Sequence, residues 1–380
     1  MDFAYTDEQR QLQETLLRYV AKEYGFAERR QLARSEQGYS RRHWQALADL
    51  GIFALTIPEA DGGLGGTAID TMIVMEAIGR GLVLEPYLAT AVVCGGLVAD
   101  AGSEAQRAAS LPAIAGGELV LALAHHEAGA RYDLNHVATT ARVDGAGYVI
   151  DGAKAVVLAG SQADRLLVSA RTAGDTRAET GISLFIVDRA AAGVAIRGYP
   201  TQDGARAAEV ALTGVRVGPD ALIGPAGGAL PVIERAIDRG IAALCGEAVG
   251  VMTALNEATL EYLKTREQFG GPIGRFQALQ HRMVDMVIAT EQARSMAIMA
   301  GVGVQSADRA LRRRAVSMAK AMIGQSGRFV GQQAVQLHGG MGVTDELIVS
   351  HWFKRLAAIN STYGDADHHL GLVSDSLLAA

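Results

Sequence analysis

At 380 residues, with 49% hydrophobic and 20% charged side chains, the chain is long enough for two or three cored domains and too apolar to be disordered or fibrous. A formal net charge of -6 argues against nucleic acid or an anionic membrane as its principal partner. The two cysteines, Cys94 and Cys245, are far apart and support neither a disulfide framework nor a zinc site. The opening MDFAYTDEQRQLQ lacks a basic segment followed by an apolar core, so it does not read as a secretory leader. Glycines and charges interrupt the apolar stretches before the ~18 residues a spanning helix needs, so a cytoplasmic chain with no membrane partner is expected.

Thr6 and Gln9 have the form of a capping box, and Leu12, Leu16 and Leu17 follow at helical spacing. A second helix is predicted from Ser40 to Leu50, closed by Gly51. PEADGGLGG (Pro58–Gly66) reads as a loop, a helical pattern resumes at Ile69 and ends at Gly79–Gly81, and SEAQRAASLPAIAGGEL gives one more short helix ending near Gly116. After that the texture changes. VATTARVDGAGYVIDGAKAVVLA, RLLVSAR, ISLFIVDR and AAEVALTGVRV alternate β-branched and polar residues around Gly-rich turns, which is the strand signature. From Leu230 the helical period returns in four long blocks, separated near Gly270–Gly274, Val304–Ser306 and Gly339–Gly342. The expected architecture is therefore mainly α with a central β domain. It comprises an all-α domain over 1–117, a β domain of barrel or sandwich type over 118–222, and a four-helix bundle over 223–380.

With PEADGGLGG in the first domain, LKTREQFGGPIGRFQALQHRMVDM at the first bundle turn and QLHGGMGVTDE at the third, the chain resembles the acyl-CoA dehydrogenases over essentially its whole length. YLKTREQFG, VGQQAVQLHGG, YPTQDG and GDADHHL further resemble the small-subunit branch typified by pimeloyl-CoA dehydrogenase. The resemblance implies FAD-dependent α,β-dehydrogenation of an acyl-CoA thioester, with electrons leaving to an electron-transfer flavoprotein. Such chemistry needs a carboxylate base for the α proton, donors for the enolate oxygen, and a flavin for the β hydride.

In that family the Arg and Phe of RxxFG and the Gln and Gly residues of QxxGG grip the pyrophosphate and adenine side of an FAD bound mainly by a neighbouring subunit. The matching residues here are Arg266, Phe269, Gln336, Gly339 and Gly340, with Gln277 beside them. Arginine bonds phosphate oxygens with charge assistance, and paired glycines let backbone approach closely. The plainer alternative is that Arg266 caps a helix end and the glycines only terminate a helix.

The flavin-ring half departs from the pattern. The family's loop and its Trp-Ile-Thr type strand correspond to HHEAGARYD (His125–Asp133) and KAVVLAG (Lys154–Gly160), so the Trp position matches Val156 and the hydroxyl position matches Leu158, which cannot donate. His125, His126 and Glu127 do not form a metal ligand set, since neighbours in a strand alternate faces, and no metal is expected. The family's C-terminal base position, a Glu after Tyr, is Gly364, with Asp365 one residue on. The second known base position, on the first bundle helix, falls near Gly240. Two carboxylates remain as base candidates. Asp365 stands in STYGDADHHL, where a solvated loop is the alternative reading. Glu247 stands in the apolar IAALCGEAVGVM, where an ion pair to a neighbouring helix is the alternative.

The leading expectation is a dehydrogenase subunit that pairs with a homologous large subunit in a heterotetramer acting on dicarboxylyl-CoA or bulky acyl-CoA. Two others stand beside it: a self-sufficient homo-oligomer using Glu247 as base, and a non-catalytic acyl-CoA binding or assembly protein on the same fold.

Overall fold

The computed structural model describes residues 4–378. Its first segment holds α1 (Asp7–Glu23), α2 (Phe26–Arg34), α3 (Arg41–Asp49) and α4 (Ala68–Gly81), a π-helical turn Leu88–Cys94 running into α5 (Gly95–Ala101), and α6 (Glu104–Ala115). Local chemistry sets most of these ends. Thr6 and Gln9 exchange both bonds of a capping box at α1, Ser103 and Gln106 do the same at α6, and Ser40 caps α3. The π-helical turn gave no periodic signal, because from Ala89 to Cys94 every side chain is buried and no polar face marks a repeat.

The strands are β1 (Leu121–Ala124), β2 (Thr140–Asp144), β3 (Gly147–Leu158), β4 (Arg165–Arg171), β5 (Ile182–Asp188), β6 (Val194–Pro200), β7 (Arg206–Val217) and β8 (Leu222–Ile223). They form an eight-stranded sheet in the order β6-β7-β3-β2-β4-β5-β8, with β1 added in parallel beside β4. β3 is the structural hinge of this sheet: it pairs with both β2 and β7 and carries two register shifts, between Ile150 and Gly152 and between Lys154 and Val157.

Next come α7 (Leu230–Thr265), the short hairpin β9 (Glu267–Gln268) and β10 (Gly271–Pro272), then α8 (Gln277–Gly303), α9 (Arg309–His338), α10 (Ile348–Ser361) and α11 (Ala366–Leu378). The last helical block, read from sequence as one helix, is two. Tyr363 (φ 59°) and Gly364 (φ 110°) leave the right-handed region, so the helix cannot continue through them. A second correction concerns α7. It contains an 18-residue window of mean hydropathy 1.2, long and apolar enough to cross a membrane, although the sequence reading found every such stretch interrupted. Of that window 83% is buried inside the protein, as in a core helix.

Over the described residues the chain divides into two compact units, one drawn from 1–31, 68–83 and 241–380, the other from 32–67 and 84–240. In the first, α4 and α7 touch backbone to backbone. A Cβ at Gly250 would lie 2.0 Å from the Glu76 carbonyl oxygen, and one at Gly79 would lie 2.2 Å from that of Glu247, so only glycine fits at either crossing. Arg294 of α8 then holds the Glu76 carboxylate with bonds of 3.1 and 2.9 Å. In the second unit the helical part is tied by the Trp44 indole N–H donating to Gly117 (2.8 Å) and the Thr90 hydroxyl donating to Leu121 (2.9 Å).

Candidate cofactor and base sites

STYGDADHHL is the junction of α10 and α11, and its side chains are committed to holding that junction. Asp365 Oδ1 accepts from the His368 backbone N–H (2.8 Å), and the Asp365 carbonyl accepts from that of His369 (3.0 Å), so Asp365 caps α11. The His369 ring is buried, with Nε2 2.9 Å from the Tyr363 carbonyl oxygen and Nδ1 3.1 Å from Ser317 Oγ. Burial, reinforced by the Lys320 charge, pushes its pKa down to about 3, so the ring is neutral. Lys320 lies wholly inside α9 and donates to the carbonyls of Asn360 (2.9 Å) and Gly364. Burial pushes the ammonium down to about 8.

The consequence falls on Gly364, the position that the resemblance matches to the family's base. A Cβ there would lie 2.5 Å from His369 Nε2 and 2.7 Å from His368 Cδ2, on backbone already at φ 110°. A side chain at residue 364 would thus meet the neighbouring imidazoles.

Glu247 is 2% exposed on α7, and both its oxygens are engaged: Arg355 of α10 donates from Nε (2.6 Å) and Nη2 (2.7 Å). This two-point pair is the ion-pair alternative raised above, and it links two helices of the bundle.

In the β unit, HHEAGARYD and KAVVLAG lie side by side, joined by the Ala155 N–H donating to the His126 carbonyl (2.8 Å). Beneath them is a buried charge network. Lys154 Nζ, at 0% side-chain exposure, donates to Glu127 (2.6 Å) and Ser169 (3.0 Å), and Glu127 accepts from the backbone N–H groups of Ala138 (2.6 Å) and Thr139 (3.0 Å). Burial pushes Lys154 down to about 8 against the pull of Glu127. Burial opposes ionisation of Glu127 as well, yet the Lys154 charge and these bonds outweigh it and hold the carboxyl down to about 2. His125 Nδ1 sits 2.9 Å from Ser169 Oγ, and burial, then Lys154, push it down to about 3. His126 Nε2 lies 2.9 Å from the Arg131 carbonyl oxygen. The partner of His125 is thus on β4 and that of His126 in the loop between β1 and β2. Val156, in the Trp position, sits at φ 50° and is 48% exposed, while Leu158 brings no hydroxyl.

The remaining predicted residues stand at three helix ends of the bundle. Arg266 follows α7 and Phe269 (φ 54°, 83% exposed) tips the β9–β10 hairpin; Gln277 opens α8; Gln336 lies in the last turn of α9, with Gly339 and Gly340 directly after it. Among the described residues the Arg266 guanidinium has no partner, and nothing lies within 4 Å of where a Cβ at Gly339 or Gly340 would stand. An unpaired cation and bare, open backbone suit the anionic tail of a dinucleotide. Sequence reasoning missed Lys154 and Lys320, each a lone cation in an apolar run, and read His369 as part of a solvated loop, whereas its ring is buried.

Family models described as acyl-CoA dehydrogenase N-terminal, middle and C-terminal domain match residues 6–118, 122–215 and 228–378. The mitochondrial isovaleryl-CoA dehydrogenase of Pongo abelii is 31% identical over 288 residues, 74% of this chain and 68% of that one. A variant of the Tcur3481-Tcur3483 steroid ACAD matches with TM-score 0.87 and 29% identity over 98% of each chain, and the ChsE4-ChsE5 complex from Mycobacterium tuberculosis with 0.88 and 26% over 100% of each. The chain belongs to the acyl-CoA dehydrogenase family, a family of flavoprotein oxidoreductases whose cofactor is FAD.

Two predictions follow from the carboxylate and histidine geometry. Glu247→Ala strands the Arg355 charge and should destabilise the protein by about 3–5 kcal/mol, whereas Glu247→Leu combined with Arg355→Leu should recover most of that loss; denaturant titration measures both. His125 and His369 bind protons in the unfolded chain below pH 6.5 but in the folded one only near pH 3, so unfolding takes up protons between those values and stability falls as pH falls below 6.5. In His369→Asn the fall between pH 6.5 and 4.5 should be shallower by about one proton, as read from unfolding free energies at the two pH values.

Proposed function

We propose that this chain is the subunit of a heteromeric acyl-CoA dehydrogenase that contributes no base of its own and works with a homologous large subunit acting on dicarboxylyl-CoA or bulky acyl-CoA. The observation that carries this reading is the closed Gly364 position, filled by His369 and fixed by Lys320. In this reading Glu247 is an architectural ion pair and Asp365 a helix cap. Arg266, Phe269, Gln277, Gln336, Gly339 and Gly340 hold the tail of an FAD whose ring lies on the partner subunit. Bound FAD supplies the acceptor for the hydride from the acyl β carbon. This chain's part is to bind and orient that cofactor, with an electron-transfer flavoprotein as the outlet for electrons. The segments 1–117, 118–222 and 223–380 are its functional domains.

Three things support the reading. The Tcur3481-Tcur3483 and ChsE4-ChsE5 relatives are named as pairs, and the first is named for steroid. Val284 (57% exposed), Val287 (43%) and Ile288 (50%) form an apolar stripe at helical spacing on α8, as a subunit contact requires. Loss of the donor at Leu158 fits a chain that has given up the flavin ring.

The test is co-expression with a homologous large subunit, followed by turnover assays with pimeloyl-CoA and a steroid side-chain CoA. The complex should turn over, and Asp365→Asn in this chain should leave its kcat within about twofold, since a capping carboxylate touches no reacting atom. Turnover by this chain alone, abolished by Asp365→Asn, would overturn the reading.

A further inference from the structure

The Arg266 turn and the Gly339–Gly340 turn stand at the ends of different helices, α7 and α9, and must be held in fixed relation if both are to meet one dinucleotide. What joins them lies just behind each. Tyr262 is one turn before Arg266, whose N–H donates to the Tyr262 carbonyl (2.8 Å), and His338 is the residue before Gly339. Their rings stack with centroids 4.4 Å apart and planes 28° from parallel, and the Tyr262 hydroxyl donates to the His338 carbonyl (3.5 Å).

The stack is itself anchored. His338 is 4% exposed and lies with Nδ1 2.8 Å from the Ala334 carbonyl oxygen, which assigns the ring proton to Nδ1 and fixes the ring plane. Burial lowers its pKa, so the ring stays uncharged against the tyrosine. On the far side Gly342 packs under His338, where a Cβ would come within 3.1 Å of His338 Cβ and 2.6 Å of the Val335 carbonyl oxygen. The His338 ring is thus fixed to its own helix end and the Tyr262 ring to His338.

We propose that the Tyr262–His338 stack is the positioning element that registers the Arg266 guanidinium against the bare Gly339–Gly340 backbone, so that both reach the pyrophosphate of one FAD. The inference rests on the reading that these turns hold the cofactor tail. Tyr262 and His338 act through Arg266 and the glycines and do not touch the cofactor themselves.

The experiment measures the FAD dissociation constant of the complex with the large subunit, by the fluorescence of released flavin, for Tyr262→Leu, Tyr262→Phe, Arg266→Ala and the Tyr262→Leu/Arg266→Ala double variant, with complex assembly checked by sizing and circular dichroism. Tyr262→Leu should weaken FAD binding by about three- to tenfold, the range set by loss of an aromatic pair, and Tyr262→Phe, which keeps the stack, should stay near wild type. In the Arg266→Ala background Tyr262→Leu should add little, because its effect passes through the guanidinium. If Tyr262→Leu binds FAD like wild type while Arg266→Ala does not, or if the two losses multiply independently, the stack is not a positioning element although the tail-holding reading stands. If Arg266→Ala itself leaves binding unchanged, the tail-holding reading fails and the inference with it.

Discussion

The rest of this structure turns on a steric constraint at one residue: the space where a Cβ of residue 364 would stand is taken by the His369 ring. Three interactions maintain it. Lys320 draws the Asn360 and Gly364 carbonyls toward α9, Asp365 starts α11 at once, and Ser317 and the Tyr363 carbonyl hold the imidazole. A side chain at residue 364 would require the buried His369 ring and the His368 ring to move. On the proposed reading, the position matched to the family's base is closed by the same contacts that end α10 and begin α11.

Elsewhere the ionisable groups of the interior are also architectural. Glu247–Arg355 links α7 to α10, and Lys154–Glu127 fastens the loop HHEAGARYD to the strand KAVVLAG. Buried pairs of this kind add little net stability over apolar residues of equal volume, but removing one partner is costly, so they enforce a single arrangement. In the β unit the pair fastens the segment that the resemblance matches to the family's flavin-facing strand, with Val156 and Leu158 at the matched positions. Among the described residues the Arg266 guanidinium at the end of α7 is unpaired, and the Gly339–Gly340 backbone at the end of α9 is open.

How much of this was legible in the sequence depended on the range of the interaction. Capping boxes at Thr6 and Ser103 are settled within four residues, and the strand texture from residue 118 onward is a local period, so the α, β, α order could be read directly. The family motifs were legible for the same reason, as short strings. The base loop was legible only as a missing residue. That His369 fills the gap, and that a lysine 44 positions away binds Gly364, are tertiary facts. Glu247 shows the limit well: the sequence left base and ion pair equally open, and the partner that decides the geometry is 108 residues distant. The π-helical turn at Leu88–Cys94 was invisible because uniform burial erases periodicity.

The most direct test of the central claim, that no base in this chain serves α-proton abstraction, is a single-turnover measurement. The chain is reconstituted with FAD in the absence of any partner, mixed anaerobically with acyl-CoA, and followed by flavin absorbance. The account predicts that the flavin stays oxidised, because of the two candidate carboxylates Asp365 caps a helix and Glu247 is paired with Arg355. Rapid bleaching of the flavin by the lone chain would contradict it.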